Sequence, residues 1–179
     1  MPHIDFEIKA KCPDPQRIRE ILRSNNADFK GTDHQIDTYF RAPGGRLKLR
    51  QGNIENALIF YNRPNQADPK QTEVFLYKFE PSSELKDLLC NALDVLVTVK
   101  KKREIYYIDN VKFHIDTLES LGTFVEIEAI DTTGSISTGK LLEQCWHYMK
   151  VFGIRREDLI DCSYSDMLMQ QNHGPSATT

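Results

Sequence analysis

The sequence predicts an α+β domain built on an antiparallel sheet. Many short segments have strand character, only three or four have helical character, and no regular strand–helix–strand alternation links them. The first strand carries the clearest signal. In residues 3–11, Ile4, Phe6, Ile8 and Ala10 point one way, while His3, Asp5, Glu7, Lys9 and Lys11 point the other.

Asp14-Pro15 then supplies an N-cap and a first-turn proline, and residues 16–27 read as a helix. Residues 35–41 form a second strand. Pro43-Gly44-Gly45 is a turn, and Arg46-Leu47-Lys48-Leu49-Arg50 alternates as a third strand. Residues 57–63 and 72–79 are strand-like, the first ended by Pro64. Ser82 or Ser83 caps a helix running to residue 96. That helix separates two strand groups, so a sheet of two halves is expected.

Residues 97–107, 111–116 and 124–130 are three further strands, with Asp109-Asn110 as a hairpin turn between the first two. Residues 138–152 have helical apolar spacing and end at Gly153. Residues 156–169 read as a terminal helix. Residues 1–169 form a single domain, and the polar stretch 170–179 is a frayed tail.

The chain has 179 residues, enough for one substantial core. A net charge of -3 argues against a general nucleic-acid binder. Cys12, Cys90, Cys145 and Cys162 are widely spaced, with no CxxC pair, as expected of free thiols in a reducing cytoplasm. The first residues show neither a basic n-region nor an apolar h-region, so no signal peptide is expected. No apolar run is long enough to cross a bilayer, and no membrane partner is expected. P-loop, GxSxG, HExxH and GxGxxG motifs are absent, which argues against those enzyme classes.

The chemistry lies in a recurring rule: charges repeat at i, i+2, i+4 on several strands. Asp5, Glu7, Lys9 and Lys11 share a face, as do Arg46, Lys48 and Arg50. Lys101 pairs with Arg103, Lys112 with His114 and Asp116, and Glu126 with Glu128. Same-face neighbours on a strand lie about 6.5–7 Å apart, so two carboxylates can converge on one ion and several cations on one phosphate chain. A solvated sheet face is the plainer reading for any one strand. Should the sheet close, these faces share an interior, and both signs are tolerable there only if wet, paired or filled by a charged ligand. Arg and Lys suit phosphate, and carboxylates accept phosphate only across a metal ion. His114 is either a proton-transfer group or a hydrogen-bonded structural histidine. Lys100 and Lys102 face opposite to Lys101 and Arg103, so residues 100–103 are not one basic surface.

These residues resemble the CYTH superfamily, or triphosphate tunnel metalloenzymes, in its class IV adenylyl cyclase-like branch. The family's ExExK motif corresponds to Asp5-Phe6-Glu7-Ile8-Lys9, with Asp shorter by one methylene at the first position. The resemblance continues through residues 37–40 (DTYF), 46–50 (RLKLR), 61–64 (YNRP), 99–104 (VKKKRE), 112–116 (KFHID), 121–128 (LGTFVEIE) and 163–168 (SYSDML). It implies a closed antiparallel β-barrel with a tunnel through it and helices outside. It implies metal binding, of Mg²⁺ or Mn²⁺, by Glu7, Asp116, Glu126, Glu128 and Asp5. It implies phosphate binding by Lys9, Lys11, Arg46, Lys48, Arg50, Arg63, Lys101, Arg103 and Lys112, with Lys9, Lys101 and Arg103 acting in catalysis. Asn62 stands where the family has a lysine, with Arg63 beside it.

The expected activity is metal-dependent conversion of an organic triphosphate, most like ATP to cyclic AMP and pyrophosphate. Hydrolysis of thiamine triphosphate or tripolyphosphate is the alternative, and a non-catalytic polyphosphate- or nucleotide-binding module the third. The partner is a small-molecule triphosphate rather than nucleic acid, and the protein a monomer or homodimer.

Overall fold

The computed structural model describes residues 3–62, 65–81 and 83–172. Among them, eight strands close into one antiparallel barrel: β1 (His3–Lys11), β2 (Asp28–Phe40), β3 (Arg46–Gln51), β4 (Ala57–Asn62), β5 (Lys70–Lys78), β6 (Val95–Ile108), β7 (Val111–Leu118) and β8 (Gly122–Asp131). Around the barrel they run β1-β5-β4-β3-β2-β6-β7-β8, with β8 closing on β1. Closure leaves no free sheet edge. It also replaces the expected two halves by one continuous sheet, because β2 and β6 pair along twelve positions from Asp28↔Tyr107 to Phe40↔Val95.

The barrel is apolar outside where two helices cover it, and its interior carries buried charges. Phe6, Ile8 and Ala10 face outward, with Phe113 and Ile115 of β7 and Val125 and Ile127 of β8. Helices α1 (Pro15–Ser24) and α3 (Thr138–Phe152) cover them with Ile18, Leu22, Leu141, Cys145, Met149 and Phe152. Each large side chain so buried is worth roughly 1.5–3 kcal/mol. Asp5, Glu7 and Lys9 alternate with these residues and are turned inward and buried.

The local signals act as expected at the α1 and α3 caps. The Arg17 amide donates to Asp14 Oδ1 at 3.1 Å. Gly153 ends α3 at φ 68, a left-handed conformation that glycine adopts without a Cβ clash. Asp109 takes φ 51 in the turn between β6 and β7.

Three expectations are corrected. β2 starts at Asp28, not residue 35, because its polar first half is held by β6 and bulges between Phe29 and Gly31. α2 (Ser83–Ala92) stops early, and Val95 and Leu96 join β6 through pairing with β2. Residues 156–169 are not one helix. A 3₁₀ turn (Arg156–Asp158) leads to Leu159, which bridges to Ala10, and α4 (Tyr164–Asn172) follows, extending past residue 169. The expected free thiols agree with the structure, where all four cysteines are unbridged. No helix among the described residues is long and apolar enough to cross a membrane.

Candidate active site in the barrel interior

The inward charges meet in one cavity of 710 Å³. One end is closed by the segment that follows Leu159. Ser163 and Tyr164 line the cavity there and are buried. The other end is rimmed by the exposed residues Lys78, Glu80 and Pro81, and by Ile54 and Asn110.

Strand pairing fixes which charges meet. Asp37 on β2 sits opposite Arg50 on β3, and Arg50 donates to both its oxygens, at 2.9 and 3.0 Å. Lys101 of β6 donates to Asp37 Oδ2 at 2.9 Å, and Lys48 Nζ lies 3.4 Å from that oxygen. On the far side, Arg103 grips Asp116 at 2.7 and 2.5 Å and reaches Glu126 Oε2 at 2.6 Å. Lys9 Nζ lies 3.4 Å from Glu126 Oε1 and 4.0 Å from the centre of the Tyr164 ring. The Tyr164 hydroxyl donates to Asp116 Oδ2 at 2.9 Å.

Burial on its own would keep these groups neutral, and the neighbours decide otherwise. For Asp37, burial pushes up, but Arg50, Lys101 and Lys48 together hold the carboxyl well below its usual range. Glu126 is also held well below its usual range against burial, by Arg103 and then Lys9. Lys101 goes the other way. Burial, with Arg103 and Arg50 beside it, outweighs Asp37 and brings its ammonium to about 7. Burial and Arg103 lower His114, so its imidazole is neutral at neutral pH.

His114, Glu126 and Glu128 offer ligand atoms that all lie within 4.8 Å of one another. His114 Nδ1 is 3.1 Å from Glu126 Oε2 and 3.8 Å from Glu128 Oε1, and its buried Nε2 has no hydrogen-bond partner. Two ionised carboxylates beside a neutral imidazole suit a divalent cation, with carboxylate oxygens fitting Mg²⁺ or Mn²⁺.

Of the residues singled out in the sequence, Glu7, Lys9, Lys48, Arg50, Lys101, Arg103, Lys112, Glu126 and Glu128 line the one cavity. Asp5 is buried on the same face of β1, off the cavity wall. Asp116 lies off the cavity wall, buried behind Arg103, and accepts from Arg103 and from Tyr164. Arg46 is turned to the closed end, where it donates to Asp166 at 3.0 Å and Asn65 at 2.8 Å. Lys11 is not in the site. It is the last residue of β1, exposed at the barrel rim and near Asp158. Arg63 lies outside the described residues.

The sequence reading missed Asp37, Glu55, Tyr164 and Lys70. Asp37 was visible in principle, since Gln35, Asp37 and Tyr39 share one face of β2. Lys70 is inward on β5 opposite Glu7 and donates to the carbonyls of Gln66 and Asp161, at 3.1 and 3.5 Å. The interior is not charged throughout either. Ala57, Ile59, Tyr61 and Val74 make one wall apolar.

A closed antiparallel barrel enclosing charges of both signs beside a candidate metal group defines a class, the triphosphate tunnel proteins. The chain belongs to the CYTH domain family, whose pattern it matches over residues 3–164. Members of the family are adenylyl cyclase-like or triphosphatase enzymes that bind triphosphates and depend on metal. The chain is 25% identical over 173 residues to a Methanocaldococcus jannaschii protein named as a candidate adenylate cyclase, covering 92% of this chain and 98% of that one. A candidate adenylate cyclase from Vibrio parahaemolyticus superposes with a TM-score of 0.77 at 16% identity, over 94% of this chain and 99% of that one. A Hippeastrum protein, described as an adenylyl cyclase candidate with dominant triphosphatase activity, superposes at 0.62 with 14% identity, over 95% and 96%. At these identities the two superpositions speak to the fold.

Proposed function

We propose that the protein is a divalent-metal-dependent enzyme acting on a nucleoside or other organic triphosphate, most like a class IV adenylyl cyclase. One observation carries this reading: Glu126 and Glu128, grouped with the buried His114, and the cations Lys9, Arg50, Lys101 and Arg103 line a single cavity. Each of these cations already faces a carboxylate, so a polyanion entering alone meets repulsion beside every attraction. A triphosphate bound together with a divalent cation meets both signs favourably.

Arg50, Lys101 and Arg103 are placed to hold phosphate oxygens, and Asp37 and Asp116 fix the two guanidiniums in direction. Lys9, pinned above Tyr164, adds charge at the closed end. A metal ion held by Glu126 and Glu128 would supply neutralisation of charge developing on the reacting phosphoryl group. The apolar wall of Ala57, Ile59, Tyr61 and Val74 offers contact to an organic head group, which inorganic tripolyphosphate lacks. Attack by a ribose 3′-hydroxyl on the α-phosphate gives a cyclic nucleotide and pyrophosphate.

Hydrolysis is the second reading, favoured by solvent access: the Glu128 side chain keeps 18% of its surface exposed, so water reaches the metal group. The test is a panel of ATP, thiamine triphosphate and tripolyphosphate with Mg²⁺ or Mn²⁺, products resolved by chromatography. Cyclic AMP with pyrophosphate supports the first reading, and diphosphate with orthophosphate the second. Tight binding with no product leaves a binding module. Neither binding nor product removes the proposal.

A further inference from the structure

Glu55 comes from a loop, the turn between β3 and β4, and not from a strand as Glu7, Glu126 and Glu128 do. It reaches over the open end of the barrel. Its Oε1 accepts from Lys112 Nζ at 2.5 Å, and its Oε2 accepts from Arg50 Nη1 at 3.0 Å and Gln35 Nε2 at 3.1 Å. Lys112 lies on β7 and Arg50 on β3, so one carboxylate ties opposite walls together. We propose that Arg50 and Lys112 form an anion subsite at the mouth of the tunnel, and that Glu55 occupies it as a built-in competing anion until an anionic group of the substrate displaces it.

The loop backbone is built to stay in place while the side chain leaves. Asp33, wholly buried, accepts from the amides of Ile54 and Glu55 at 2.9 and 3.0 Å. Gly52 packs so closely on Asp33 that a Cβ there would fall 2.5 Å from its Oδ1. Asn56 closes the base of the loop, accepting from the Gly52 amide and donating to the Gly52 carbonyl. The Glu55 side chain is a quarter exposed, so rotation about its own bonds carries the carboxylate into water without opening the barrel. Asp37, Asp116 and Glu126 have no such exit, being strand-borne and buried.

The two cations gain more from a phosphoryl group than from this carboxylate, since the phosphoryl group carries more charge and more acceptor oxygens. Glu55 therefore sets a threshold. It neutralises Lys112, adds a second counter-charge to Arg50 beside Asp37, and weakens anions too poor in charge to displace it.

This inference rests on the triphosphate reading above and deepens it. The test is calorimetric titration of Mg²⁺–tripolyphosphate into the wild type, Glu55→Gln and Glu55→Asp. Glu55→Gln keeps the shape and removes the charge, and should tighten binding about tenfold. Glu55→Asp draws the charge back by one methylene, and should tighten it by a smaller factor. Equal or weaker binding in both variants, with the wild type binding normally, overturns the competing role and makes Glu55 a positioning residue for Arg50 and Lys112. Should one variant fail to fold, the other decides on the same criterion. No binding in any of the three proteins overturns this inference together with the triphosphate reading.

Discussion

Asp37 and Arg50 form a two-pronged ion pair inside the barrel, closed at 2.9 and 3.0 Å, with Lys101 on the same carboxylate. Asp37 is buried, and the pair both holds the wall together and aims the guanidinium. Asp37→Asn takes the carboxylate from Lys101 and leaves Arg50 with Glu55 alone. Removing one member of a buried pair costs roughly 3–5 kcal/mol. Urea unfolding should show a loss of that size, and a loss below about 1 kcal/mol would contradict the pairing.

Glu126 joins the candidate metal group to the cations Arg103 and Lys9. Glu126→Gln keeps the volume and removes the charge. Metal-dependent turnover should fall by ~10²-fold or more, and Mn²⁺ binding, read by electron paramagnetic resonance, should weaken in parallel. Unchanged turnover would take Glu126 out of the site.

Lys101, brought to about 7 by burial, predicts a proton linkage. A bound phosphate group favours the charged ammonium and raises its pKa in the complex. Above pH 7 the protein should therefore take up about one proton on binding tripolyphosphate, and affinity should fall as pH rises from about 7. Calorimetry at pH 8 in buffers of different ionisation enthalpy measures the uptake. An enthalpy that ignores the buffer contradicts the linkage.

Tyr164 separates two roles in one side chain. Its hydroxyl bonds Asp116, and its ring lies under Lys9 and closes the cavity floor. Tyr164→Phe should cost roughly 1–3 kcal/mol, because it leaves an acceptor of Asp116 short of a donor. Tyr164→Ala adds loss of the ring and should cost about 3–5 kcal/mol. Equal losses in denaturant titrations would assign no weight to the ring.

Much of this was legible in the chain because alternation is a local signal. The i, i+2 charges of β1, β3, β6 and β8 put Glu7, Lys9, Lys48, Arg50, Lys101, Arg103, Glu126 and Glu128 on the wall where they were expected. What alternation does not tell is which face is inside. In this barrel the apolar face of β1 points out, against α1 and α3.

The failures have separate causes. β4 is apolar on both faces, since Leu58 and Phe60 alternate with Ala57, Ile59 and Tyr61, so its inner wall could not be told from its outer one. Glu55 sits on a loop with no periodicity, and its role exists only once β3 and β7 are brought across from each other. Lys11 follows the alternation of β1 faithfully, but the strand ends there at the rim, where parity no longer assigns an interior. Asp116 obeys the rule and yet lies off the cavity wall, bonded to Arg103, its pairing partner across β6 and β7.

The most direct measurement is a crystal structure of the protein grown with Mn²⁺ and tripolyphosphate. The account predicts an anomalous peak bonded to Glu126 and Glu128, with phosphoryl oxygens against Arg103, Arg50 and Lys101 and the Glu55 carboxylate turned away. Manganese or tripolyphosphate bound only on the outer surface, with the interior ion pairs undisturbed, would contradict it.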